Sequence, residues 1–319
     1  MRNATGLLAA AMLLGTMAQA QQAPRKAALE SLSPAFWTLL PKNAPITRLA
    51  TGFGFTEGPV WDKRGFLWVS DETLNKIFQV DTASGEKRTI IDLGDPDGNT
   101  YDRQHHLLDC AGVLRAVIRL SPDGKSYTIV SNRYQGKKFN SPNDVVLGPD
   151  GAIYFTDPTS DLPKGATREI PFEGVYRIAP NGEVQLLTQE IHQPNGLAFS
   201  PDGKRLYVDE DVNRTIRVFD FDRSNGTISH GRQFAVEPST LENEVPDGMR
   251  VDTKGNLYVV GPRGIWVWSP DGHHLGTVVL PEQPANLAWG GPDFSVLYMT
   301  AVTSVYRVQT KAHGFIPYQ

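Results

Sequence analysis

"NDVVLGPDGAIYFTD", residues 143–157, decides the fold. An apolar strand runs into Asp150-Gly151, a pair that favours the positive-φ reversal of a tight hairpin, and a second apolar strand leaves it. The pattern recurs as "GPVWDKRGFLWVSD" (58–71), "NGLAFSPDGKRLYVDED" (195–211), "DGMRVDTKGNLYVVG" (247–261) and, more loosely, "ANLAWGGPDFSVLYMTA" (285–301). Third strands follow, as in "KIFQVD", "GVYRIAP", "TIRVFDF", "GIWVWSP" and "SVYRVQT". A weaker unit, "NTYDRQHHLLDCAG" with "AVIRLSPDG", falls between the first and third. Six units of three or four antiparallel strands, at a period of roughly 40 to 50 residues, predict an all-β, six-bladed β-propeller. The last unit lacks a fourth strand, while "ITRLATG" (46–52) stands alone before the first. Pairing the two is expected to close the ring and remove the free edge.

These units fill residues 44–319, read as one propeller domain. Residues 21–43 read as a linker carrying a short helix, "PAFWTLL", whose Phe36, Trp37 and Leu40 can pack on the main body. Residues 1–20 hold Arg2, the apolar run "LLAAAMLL" and "AQA", the pattern of a secretory signal peptide cleaved after Ala20. The expected location is therefore periplasmic or secreted. No later apolar run is long enough to anchor the chain in a membrane. Net charge is −4, or −5 without Arg2, and no basic stripe is present, which excludes a nucleic-acid partner. Cys110 is the single cysteine, so the fold must hold without an internal disulfide. It reads as a small buried hydrophobe. Oligomeric state is not legible.

Glu57, Asn99, Asn143, Asn195, Asp247 and Asn286 open the successive units, and all are carboxylates or amides. Asn and Asp are also favoured in turns. Innermost strands of a propeller line one axis, however, so equivalent positions converge there despite their separation in sequence. Oxygen donors, two anionic and several neutral, suit a hard divalent cation such as Ca2+, and the absence of His and Cys argues against structural zinc. Asn99 and Asn286 are assigned to pocket lining. His192, three residues before Asn195, is a candidate rim base or simply a packing residue. Asp157 is expected to support the ligand shell by hydrogen bonding. The insert "TSDLPKGATREIPFEG" (159–174) is either a loop over the channel mouth or a plain surface excursion.

The motifs "TEGPVW", "GKKFNSPNDVVLGPDGAIYFTDP", "QPNGLAFSPDGKRLYV" and "VPDGMRVDTKGNLYV", in this order, resemble the SMP-30/gluconolactonase/luciferin-regenerating family of six-bladed propellers over essentially the whole mature chain. The resemblance implies a hydrolase of lactones or related esters with one divalent cation, Ca2+ first, with Zn2+ or Mn2+ in some members. Position by position it implies Glu57, Asn143, Asn195 and Asp247 as metal ligands, with Asn143 serving the substrate in some members. Relatives often carry a Cys-Glu-His run where this chain reads Cys110-Ala111-Gly112, which predicts a less polar or roomier pocket. Arg250 replaces a carboxylate that helps hold a second ion in phosphofluoridate-splitting relatives, so no second ion is expected.

The chemistry this implies is polarisation of a lactone carbonyl by the cation, with Asp247 activating water or attacking directly. A phosphotriesterase or arylesterase on the same cation is the alternative within enzymes. A non-catalytic ligand-binding propeller is the alternative outside them.

Overall fold

The computed structural model describes residues 25–241 and 244–318, and the signal-peptide reading of residues 1–20 lies outside them. Six antiparallel sheets stand around an axis. Their innermost strands are Thr56–Asp62, Pro96–Tyr101, Val145–Leu147, Pro194–Phe199, Met249–Val251 and Pro284–Gly290. These lie side by side in chain order, and Pro284–Gly290 meets Thr56–Asp62 to complete the circle. Thr47–Thr51 pairs antiparallel with Ser304–Gln309 as the outermost strand of the sixth blade, Thr47 opposite Arg307. First and last blades thus share one stretch of chain, a seam that leaves no bare edge where the ring meets itself.

The second strand of each blade is covered on both faces by neighbouring blades, so it reads as a continuous apolar run instead of an alternation. Ile153–Asp157 and Leu257–Gly261 are buried at every position. Outer strands such as Tyr127–Ser131 are largely exposed. The core is accordingly divided into wedges between blades. Tyr154, Phe199 and Phe221 interlock between the third and fourth, and Tyr258 and Trp289 between the fifth and sixth.

The segment read as a linker is built into the fold. Ala28–Ser31 adds a fifth, outer strand to the fifth blade, pairing Ala28 with Val279. The helix Phe36–Leu39 follows, and Phe36 and Leu40 are fully buried in the wedge between blades five and six. The sequence "ALES" carries no alternation that would mark a strand, and it is held as one by its backbone pairing with Gly276–Val279. At the far end of the axis, residues 315–318 lie against Val60, Val251 and Trp289 and share a cavity with Arg250.

Candidate functional site

The innermost strands lose register near their starts, between Glu57 and Val60, Pro96 and Asn99, Pro194 and Leu197, and Pro284 and Asn286. A bulge at the same point of several blades re-aims the opening residues and lets neighbouring strands bond across the hub. Gly98 N–H donates to Asn143 O (2.9 Å), and Gly248 N–H to Ala285 O (3.0 Å). Acids that end the second strands hold these openings from behind. Asp71 accepts from Gly54 N–H (2.8 Å), Asp157 from Asn140 N–H (2.9 Å) and Asp209 from Gly196 N–H (2.9 Å). Asp157 thus has a supporting place, one backbone bond away from the mouth.

Close approach at the hub leaves no room for side chains on the inner turn. A Cβ on Gly196 would stand 2.3 Å from the Asp247 carbonyl oxygen and 2.7 Å from Asp209 Oδ2. The first obstacle is backbone, which cannot step aside without moving Asp247. Gly196→Ala should therefore destabilise the protein by about 1–3 kcal/mol, read from denaturant unfolding. An unchanged midpoint would refute this packing.

Glu57 is only 2 % exposed. Its Oε2 accepts from Gly58 N–H (2.7 Å) and Asn286 Nδ2 (2.8 Å). Neither partner carries charge, and burial pushes its carboxyl up to about 8. Glu57, Glu72 and Asp97 each place a carboxylate oxygen within 4.8 Å of the others. Burial, then repulsion from Glu57 and Asp161, pushes Glu72 up to about 9. Asp97 is raised well above the carboxylate range by burial and by repulsion from Glu72, Glu57 and Asp247 among others. Asp247 keeps some exposure at the mouth. Loss of solvent, then repulsion from Glu57, Asp211 and Asp209, also raises it well above that range. Burial, then repulsion from Asp161, pushes the Asp211 carboxyl up to about 8, and Asn195 opposes that shift. Glu57, Asn143, Asn195 and Asp247 are therefore linked through one acidic network at one end of the axis.

The amides divide by which end is engaged. Asn143 Nδ2 donates to Asp97 Oδ2 (2.7 Å) and Asp161 Oδ2 (3.4 Å). Asn99 Nδ2 donates to Ser70 Oγ (2.6 Å), Gly58 O (2.9 Å) and Asp97 O (3.1 Å). In both, the buried Oδ1 has no partner among the described residues. Asn286 differs, its Oδ1 accepting from Leu287 N–H (2.8 Å) while its nitrogen orients Glu57. His192 is exposed, its backbone N–H donating to Glu210 Oε1 (3.2 Å), and no hydrogen bond joins its ring to the acids.

Three expectations need correction. The six opening residues do not share one point of the repeat. Pro precedes the key position in Pro96-Asp97, Pro142-Asn143, Pro194-Asn195, Pro246-Asp247 and Pro284-Ala285. Pro96, Pro194 and Pro284 each begin an innermost strand and pair with the end of the second. Asp97, not Asn99, is thus the blade-two equivalent, and blade six offers only Ala285, with Asn286 one residue on. That proline was the signal for Asp97. Second, the bare Cα of Gly112 admits Asp95 beside it, a carboxylate where the less polar or roomier pocket was expected. A Cβ there would stand 2.2 Å from Asp95 Oδ2. Third, Glu72, Asp95, Asp161 and Asp211 were not anticipated. They lie in turns or in the insert, where no local pattern marks them.

Arg250 sits deeper. Its Nη1 donates to Met249 O (2.7 Å) and lies 3.7 Å from Asp144 Oδ2. Cys110 is fully buried beside Leu108, Val117 and Phe155.

Residues 55–303 match the model of the SMP-30/gluconolactonase/LRE-like region. A gluconolactonase of Zymomonas mobilis is 33 % identical over 313 residues, covering 90 % of this chain and 87 % of its own. A pentonolactonase of Haloferax volcanii is 29 % identical over 264 residues, 80 % of this chain and 84 % of its own. The solved structure of a gluconolactonase from Xanthomonas campestris superposes with a TM-score of 0.82 at 29 % identity, covering 90 % of this chain and 98 % of that one. With the ring, its acidic mouth and these likenesses together, the chain belongs to the SMP-30/gluconolactonase/LRE-like family.

Proposed function

We propose that the protein is a divalent-metal-dependent hydrolase of lactones, acting on sugar lactones in the manner of a gluconolactonase. The observation that carries this reading is the mouth itself. Buried or half-buried acids converge there with uncharged partners, beside an Asn143 Oδ1 that has no partner among the described residues. Unpartnered buried oxygens and carboxyls raised by burial and by mutual repulsion suit a bound cation, and the oxygen-only donor set suits Ca2+, with Zn2+ or Mn2+ as alternatives. Glu57, Asn195 and Asp247 would hold it, with Asn143 beside them or turned to the substrate. The relatives named as lactonases support the reaction class.

When bound, such a cation supplies Lewis-acid polarisation of the lactone carbonyl. Asp247 takes a proton from the attacking water, whose oxygen bonds to the carbonyl carbon. The ring C–O bond then breaks, and the proton passes to the departing alkoxide, leaving a hydroxy acid. Asn286 fixes Glu57 through Oε2, and Asp97 fixes Asn143 through Nδ2. The start of the chain supports export to the periplasm or beyond. The test is metal analysis of purified protein with a panel of aldonolactones, aryl esters and phosphotriesters, with and without chelator. Lactone hydrolysis lost on chelation is expected. Hydrolysis indifferent to chelator, or confined to phosphotriesters, would overturn the reading.

A further inference from the structure

The first residues of the insert are bound into the mouth. Ser141 Oγ donates to Asp161 O (3.0 Å), Ser160 N–H to Gln193 Oε1 (2.9 Å), and Gln193 N–H to Glu173 Oε2 (2.7 Å). Asp161 Oδ2 accepts from Ser160 Oγ (2.8 Å) and Asn143 Nδ2 (3.4 Å), while Oδ1 is engaged by none of the described residues. Although Asp161 hangs from the third blade, its charge acts on Glu72 of the first, Asp95 and Asp97 of the second, and Asp211 beside the fourth. Its bonds to Ser141 and Asn143 set it at the opening, within reach of those acids. Below it Asn143, 7 % exposed, keeps a buried and unpartnered Oδ1. Asp161 Oδ1 and Asn143 Oδ1 are acceptors that no described residue engages, so a ligand hydroxyl can donate to them at the rim, away from the ion-holding residues. An anionic group there meets like charge.

Resting on the lactonase reading, we propose that Asp161 is a specificity-determining residue. It makes the mouth select neutral, hydroxyl-rich lactones over lactones that carry a fixed anionic group. The same carboxylate hastens departure of the product, since hydrolysis turns a neutral lactone into an anion on the spot.

The test compares kcat/KM for an aldonolactone and for the same lactone bearing a terminal phosphate, on metal-loaded protein at low and high salt. Asp161→Asn keeps the size and an acceptor oxygen but removes the charge, and Asp161→Ala removes both. In wild type the neutral lactone is expected to lead by about 100-fold at low salt, and salt should narrow the gap because exposed charges are screened. Asp161→Asn should raise phospholactone turnover by about 10-fold, lower that of the neutral lactone a few-fold, and reduce the salt effect. It should also strengthen product inhibition by the aldonate. A selectivity unchanged within about 2-fold in both variants, or equal wild-type turnover of the two lactones, would overturn the assignment and leave the lactonase reading standing. Wild type inactive on both would bring down the lactonase reading, and this assignment with it.

Discussion

Asp247→Asn should lower kcat/KM for an aldonolactone by about 10³-fold or more, with metal content reduced but not abolished. The substitution keeps the size of the side chain and an oxygen to accept from Gly248 N–H, which lies 3.0 Å from Asp247 Oδ1. What it removes is the capacity to take a proton from water, typically worth about 10²- to 10⁴-fold, and one anionic donor to the cation. Asn286→Ala separates the two contributions. It leaves both carboxylates and removes only the amide that orients Glu57, so a loss of metal affinity with a smaller loss of kcat is expected. Wild-type turnover by Asp247→Asn, followed by acid release, would remove Asp247 from the reaction.

The second large effect concerns the metal-free protein. Burial lifts Glu57 from 4.5 to about 8 and Glu72 from 4.5 to about 9, so the folded state binds protons the unfolded chain has already released. The stability this proton binding contributes is complete below about pH 4.5 and is lost as pH rises through 8 to 9. Each tenfold difference in proton affinity is worth about 1.4 kcal/mol, so the loss reaches several kcal/mol, on the order of 10 °C in melting temperature. Chelated protein should melt lower at pH 9 than at pH 5 by that amount. Added Ca2+ should raise the melting temperature far more at pH 8 than at pH 5, because it binds the deprotonated acids. Glu57→Gln should flatten the first slope and weaken the second response. A melting temperature of the chelated protein that stays level or climbs over this range would contradict the electrostatics described for the hub.

Much of this architecture was legible because its physics is local. A tight turn between two apolar strands can be seen in fifteen residues, and its repetition counts the blades. Glu57, Asn195 and Asp247 stand out in the sequence because the repeat sets them at blade openings and the family motifs surround them. Asp97 is harder to see, because the proline before it, not the amide two residues after it, marks the equivalent position of the repeat. Glu72 and Asp161 belong to another category. Glu72 follows the second strand of its blade, and Asp161 lies in an irregular loop whose course is set by Ser141 before it, Glu173 at its far end and Gln193 of the next blade. No local periodicity could report them. The strand Ala28–Ser31 escaped for a related reason, since it takes its shape from Gly276 to Val279, nearly 250 residues away.

The tail at residues 315–318 lines the axial cavity together with Arg250, which on the proposed reading leaves the acidic end as the approach for ion and substrate. Traffic would then run last in, first out. On the proposed lactonase reading, an ion held by Glu57 and Asp247 would arrive before the sugar ring that covers it and would leave only after that ring. Saturating substrate should therefore protect the loaded enzyme from a chelator, a kinetic shelter that follows from a single approach.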